Sequence, residues 1–203
     1  MERFAEANTK IRRGVIIMTF CETGLVRAMK NAYKQDGYTV AGTDYGLIIA
    51  GEMWGVSIHE KMIPNKVKSV IVLHAGKLPD VGKAINVRKG ETGSMIYELA
   101  VAGIERLDEL YRDKKREVIR PTRLTMDGYN LWQQPDSLEI KRIDPENEQI
   151  LDYGDQDAYL VDNAIYGETV CGSVFVLREG VAPEDKIMLY HLEQMQWIPV
   201  EME

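Results

Sequence analysis

Thr122-Arg123-Leu124-Thr125-Met126-Asp127-Gly128-Tyr129-Asn130-Leu131-Trp132-Gln133 is the stretch whose reading decides the fold class. Asp127-Gly128 suits the two positive-φ positions of a type I′ turn, and alternating apolar residues flank it on both sides. A hairpin centred there sets Met126 against Tyr129 and Leu124 against Leu131, so the apolar side chains share one face. A hairpin with one apolar face must bury it, which predicts a sheet packed on a core.

Working outward, most of the remaining chain reads as short strands. Gly14–Phe20 is a β-branched apolar run of strand length. Tyr38–Ala41 and Leu47–Ala50 flank the Gly42–Gly46 loop, and Trp54–His59, Val67–His74 and Ala84–Arg88 follow. Downstream, Leu138–Ile143, Ala158–Val161, Ser173–Leu177 and Met188–His191 have strand character, with Trp197–Val200 as a last edge strand containing Pro199. Two segments have helical period instead. From Thr23 to Gln35, Leu25, Val26, Met29, Ala32 and Tyr33 form one stripe, closed by Asp36-Gly37. From Ser94 to Lys115, Ile96, Leu99, Gly103, Leu107 and Leu110 form another, expected to be buried. The class is therefore α+β: a mainly antiparallel or mixed sheet with two principal helices, at about 23–35 and 94–115.

The 203 residues are 45% hydrophobic and 28% charged, the balance of a chain that builds an ordinary core. Apolar runs such as Val15–Met18 and Val70–Leu73 fall far short of the roughly 20 residues that cross a bilayer. The charged opening Met1-Glu2-Arg3-Phe4-Ala5-Glu6 reads as no secretory leader. Cys21 and Cys171 have neither disulfide-framework nor zinc spacing, and His59, His74 and His191 stand singly. The expectations are a reduced, cytoplasmic setting, no membrane, no metal and no cofactor.

The net charge of −7 is unevenly spread. Residues 1–135 carry 21 Lys/Arg against 16 Asp/Glu, whereas residues 136–203 carry 4 against 16. This predicts a mildly basic α+β region over 1–135 and an acidic, β-rich region over 136–203 packed on it, within one domain or as two.

Cys21-Glu22-Thr23-Gly24-Leu25-Val26-Arg27 joins a strand to a helix. In its Cys-x5-Arg spacing it resembles the phosphate-binding loop of the cysteine-dependent phosphatases. That resemblance implies Cys21 as a thiolate nucleophile, Arg27 as a planar clamp on two phosphate oxygens, and an acid such as Asp144 for the leaving group. The residues also fit a second reading: a cysteine packed at a strand end, and Arg27 with Lys30, Asn31 and Lys34 on a solvated helix face. Gly90-Glu91-Thr92-Gly93-Ser94 looks like the opening of a Walker A loop, but Met95, Ile96 and Tyr97 replace the lysine and hydroxyl which that chemistry needs. Two readings remain for Gly90, Thr92, Gly93 and Ser94: an anion site at a helix N-terminus, or a glycine-rich turn with a capping hydroxyl.

Two functions follow. The first is a non-catalytic interaction protein that binds a protein or a protein–nucleic-acid complex through charged surfaces. Arg12, Arg13, Arg27, Lys30 and Lys34 serve on the basic side and Asp152, Asp155 and Asp157 on the acidic side. An accessory or inhibitor protein of a phage or mobile element has this profile. A sequence pI of about 5.2 argues against a dedicated nucleic-acid binder. The alternative is the phosphatase-like enzyme using Cys21 and Arg27.

Overall fold

The computed structural model describes residues 20–113, 117–151, 158–169, 172–177 and 183–198. A three-stranded meander and a hairpin open the architecture. After helix α1 (Glu22–Lys34), strands β1 (Tyr38–Gly42), β2 (Gly46–Ala50) and β3 (Trp54–His59) run up and down, followed by α2 (Asn65–Ala75). The hairpin β4 (Lys83–Arg88) and β5 (Glu91–Met95) leads to α3 (Tyr97–Asp113). The pattern then recurs. Strands β6 (Glu117–Met126), β7 (Tyr129–Gln133) and β8 (Ile140–Ile143) are followed by α4 (Pro145–Glu148), and β9 (Ala158–Val161), β10 (Ala164–Thr169) and β11 (Gly172–Leu177) by α5 (Pro183–Leu192).

All eleven strands pair antiparallel in one sheet, ordered β5-β4-β1-β2-β3-β11-β10-β9-β6-β7-β8. Five neighbours, β5-β4-β1-β2-β3, are matched by β10-β9-β6-β7-β8, and β11 lies between the two sets. It pairs β3 on one side and β10 on the other. The α+β class and antiparallel sheet stand as expected. Strands from 1–135 and from 136–203 share the sheet, with β9, β10 and β11 enclosed between β6 and β3.

Strand alternation divides the sheet into two apolar faces. One carries Tyr38, Val40, Ile49, Val56, Ile58 and Trp132, covered by Leu25 and Met29 of α1 and by Val67, Val70 and Ile71 of α2. The other carries Ala41, Ile48, Ala84, Tyr166 and Phe175, covered by α3 through Ala100, Val101, Ile104, Leu107 and Tyr111. Farther along that second face, α5 sets Leu189 on Leu131 and Ile140. Each fully buried large aliphatic side chain contributes about 1.5–3 kcal/mol, so two covered faces supply the main stabilisation.

The hairpin forms as read: Asp127 and Gly128 have φ of 51° and 84°, and Met126 opposes Tyr129. Beyond Thr125 the register shifts, so that Pro121 rather than Leu124 leads the next pairing, with Trp132. Thr122 causes this locally: its hydroxyl donates to the Leu131 carbonyl at 2.8 Å and accepts from the Leu124 amide at 3.1 Å. Leu124, Met126 and Leu131 still meet in one cluster.

Four expectations are corrected. Val67–His74 is helical, because Val67, Val70, Ile71 and His74 repeat at three and four residues against α1, and Gly76 (φ 81°) ends the helix. Met188–His191 belongs to α5 for the same reason, with Leu189 inward. Trp197–Ile198 forms no strand: Trp197 is tied by its amide to Gln133 and by its indole N–H to the Leu192 carbonyl. Ile96, which precedes α3, and Leu99 in its first turn are 63% and 64% exposed. The helix presents its small residues, Ala100 among them, to Ala41 and Ala84, which turns the expected stripe aside. Two principal helices is thus too few: α2 and α5 are full elements. Gly14–Thr19 lies outside the described residues; Phe20 bridges Leu151.

The two sheet edges differ. Strand β5 is exposed along Glu91–Ser94, whereas all four residues of β8 are buried and the Ile140 amide donates to a Glu193 carboxylate oxygen at 2.9 Å. No described helix is long and apolar enough to cross a membrane.

Two helix glycines have opposite roles. A Cβ on Gly24 would overlap the Gln149 backbone carbonyl, whereas one on Gly103 would meet nothing within 4 Å. In urea denaturation, Gly24→Ala should cost more than about 2 kcal/mol, as overpacking against backbone does. Gly103→Ala should stabilise by about 0.5–1 kcal/mol.

Candidate functional site

A groove of about 660 Å³ lies beside α3 on the second face of the sheet. Its floor follows from register. Asn86 opposes Thr39, Thr39 opposes Ala50, Ala50 opposes Gly55, and Gly55 opposes Phe175, so one cross-strand row runs from β4 to β11. The first four are small or polar and leave the backbone low. At the far end the row rises: a Cβ on Gly55 would overlap the Phe175 ring, so the glycine lets that ring lie against the sheet. Phe175 opposes Tyr166, whose ring centroid is 4.5 Å from that of Tyr111.

The wall is α3. Leu99, Gly103 and Arg106, at i, i+4 and i+7, line the groove. Three carboxylates from distant segments stand at the rim: Asp36 after α1, Glu52 after β2, and Asp162 in the β9–β10 turn. Arg106 lies 3.9 Å from Asp162, with both side chains more than half exposed. The negative field extends to the start of α3. There the Tyr97 phenol is pushed above its usual range, first by burial and then by the carboxylates of Glu105, Asp44 and Glu98. The groove is thus apolar within and anionic at its mouth.

On the opposite face, the two helices α1 and α2 are basic. Helices α1 and α2 contain five Lys/Arg (Arg27, Lys30, Lys34, Lys66 and Lys68) and one acid, Glu22, which Lys66 pairs at 3.1 Å. Lys30 and Lys34 are exposed near the C-terminal end of α1, and exposed Lys89 joins them there, its backbone amide donating to the Tyr33 carbonyl. Beside them, His74 stacks on Tyr33 at 3.9 Å between ring centroids, and its Nδ1 lies 3.0 Å from the Tyr38 hydroxyl. Burial raises the Tyr38 phenol far above its ordinary range, which keeps it a donor, so neutral His74 accepts its proton at Nδ1. Burial, and after it the Lys30 ammonium, lowers the His74 pKa.

The remaining predicted residues are placed as follows. Cys21 is half-buried at the start of α1, its amide donating to the Ile150 carbonyl at 2.7 Å. Residues 22–27 are already helical, and Arg27 projects to solvent and bonds the Gln149 side chain. Segment 149–150 lies across that first turn, so the structure does not wrap Cys21–Arg27 into a phosphate cradle. Asp144 caps α4, accepting from the Glu146 amide at 2.7 Å. Gly90 (φ 80°) turns β4 into β5, and Thr92, Gly93 and Ser94 lie in that edge strand. The helix begins only at Tyr97, so these four residues are not at a helix N-terminus. Arg12, Arg13, Asp152, Asp155 and Asp157 lie outside the described residues. Among the described residues, no group of three or more His, Cys, Asp or Glu is arranged to hold a metal.

Sequence reading missed Asp36, Glu52, Asp162, Thr39 and Phe175, which come together only through strand pairing. Leu99 and Gly103 were singled out, but as core. The available signal was a glycine in mid-helix with no turn to serve.

The His74 cluster predicts a pH dependence. Its folded pKa is lowered, so the unfolded chain takes up the proton first and stability is lost as pH falls below about 6.5. Unfolding free energies of the wild type and His74→Gln, compared between pH 8 and 5, should show the wild type losing ground to the variant on acidification. A constant difference would remove His74 from the account. No family model matches the chain, and no curated protein or solved structure matches it either.

Proposed function

We propose that the protein is a non-catalytic interaction module that docks a macromolecular partner through charged surfaces, with the basic α1–α2 face receiving an acidic partner. The supporting observation is the sorting of charge across the sheet. The chain is acidic overall, yet α1 and α2 together hold five cations against a single acid that is already paired, while the short α4 beside α1 adds Glu146 and Glu148. α3, on the opposite face, holds five carboxylates against two arginines in its sequence. A field separated in this way orients an approaching charged partner and raises its association rate more than its final affinity.

The cations best placed for this are Lys30, Lys34 and Lys89, which are exposed around the end of α1. Arg27 contributes less, being bonded to Gln149. Exposed substitutions of this kind typically change stability by within about 0.5 kcal/mol each, so the surface can be reversed without unfolding the protein.

The test uses immobilised heparin as a polyanion probe. Despite a net charge of −7, the wild type should be retained at low salt and released as ionic strength rises, since screening shortens the reach of exposed charges to about 8 Å at 0.15 M. Lys30→Glu/Lys34→Glu/Lys89→Glu should flow through with an unchanged melting temperature. Equal retention of both proteins would show that the basic face is a solvated surface and no more.

A further inference from the structure

We infer that the groove beside α3 binds an extended segment of a partner protein, one that presents aliphatic side chains between lysines or arginines. The inference takes the interaction reading as its context but uses the opposite face of the sheet, so the two can fail separately.

Gly103 is the first argument. A glycine in the interior of a helix weakens it, and close packing is the usual reason to keep one. Here a Cβ would meet nothing within 4 Å, and the open space in front of it is the groove. The glycine gives the fold nothing; it gives an incoming chain room to approach the helix backbone. The second argument is an apolar side chain. Leu99, one turn before Gly103, lines the groove and is 64% exposed, although the same helix already buries a full stripe against the sheet. A large aliphatic side chain left open at the groove is available to an incoming apolar group.

Shape and charge define the occupant. The floor row crosses from β4 to β11, four strand intervals, or about 19 Å at the usual strand spacing. An extended chain covers that length with about five or six residues. Open and elongated, the groove suits a peptide better than a compact molecule. Its interior takes aliphatic groups on Leu99, Leu107 and Phe175. Its mouth has Asp36, Glu52 and Asp162, with Arg106 directed to the last of these, which leaves an excess of negative charge for cationic side chains at the ends. The amide of Asn86 and the hydroxyl of Thr39 lie at floor level, where a peptide backbone would pass.

The probe is a fluorescein-labelled hexapeptide alternating lysine and valine, compared with one alternating glutamate and valine and with one alternating lysine and glycine. Fluorescence anisotropy should show the lysine–valine peptide binding at least tenfold more tightly than either control. Gly103→Trp, which fills the groove from the helix, should weaken binding at least tenfold while keeping or raising the melting temperature. Glu52→Lys alters the rim without touching the core, and should weaken binding severalfold, less so in high salt. Lys30→Glu/Lys34→Glu/Lys89→Glu should bind the peptide as tightly as wild type, which separates this site from the basic face. Equal binding by wild type, Gly103→Trp and Glu52→Lys would overturn the inference, as would equal binding of the three peptides. If sedimentation shows a wild-type dimer that Gly103→Trp converts to monomer, the occupant is a second copy of the chain and the partner assignment falls.

Discussion

The pairing of β11 with β3 holds the molecule together. Five neighbouring strands are contributed by residues 38–95 and five by residues 117–169, and within the sheet the two sets are joined through this one strand. Every backbone amide and carbonyl along a buried strand needs a partner, and Trp54–Ile58 finds its partners on Gly172–Val176, more than a hundred residues away. The same pairing puts Phe175 opposite Gly55, which fixes the end wall of the groove. Without it, α3 would cross an interrupted surface, and Asp162 would have no reason to stand near Glu52. Fold and candidate site thus rest on one ladder of hydrogen bonds.

How far this was legible in the sequence depends on distance along the chain. The Asp127-Gly128 turn, the β1–β2 loop and the end of α1 at Gly37 were readable, because turn chemistry is decided within a few residues. Val67–His74 was misread because Val67, Val70, Ile71 and Val72 are β-branched, and that local preference points to a strand. The helix wins because Val67, Val70 and Ile71 have α1 to pack against. In α3 the period was right, and Leu107 and Leu110 face the core as expected, but Leu99 in the first turn does not. Leu and Ile look like core residues, but contact with a floor of Ala41 and Ala84 favours the smaller side chains of Ala100 and Val101. The recurrence of one strand order in both parts of the sheet left no trace in the residues, since a sheet position requires burial and alternation rather than a particular side chain.

Charge was legible as a total and misleading as a map. Along the chain it divides at about residue 135; in space, α1 and α2 are basic and α3, on the opposite face, is acidic. The reason is topological. The basic helices α1 and α2 and the acidic α3 all precede residue 135, yet α3 covers the opposite side of the sheet from the other two. A sequence half is therefore not a surface. The anionic mouth shows this most clearly, because its carboxylates come from three turns at one end of the sheet.

The unequal edges of the sheet govern how it can meet its own kind. An open sheet with two bare edges can stack end on end indefinitely, each molecule adding its first strand to the last strand of the next. Here β8 is closed off by the Glu193 carboxylate and buried side chains, while β5 is bare. Among the described residues, an added strand therefore has β5 to start from and meets resistance at β8. The carboxylate that receives the Ile140 amide occupies a donor that a neighbouring strand would need, so head-to-tail stacking of sheets is disfavoured at that edge.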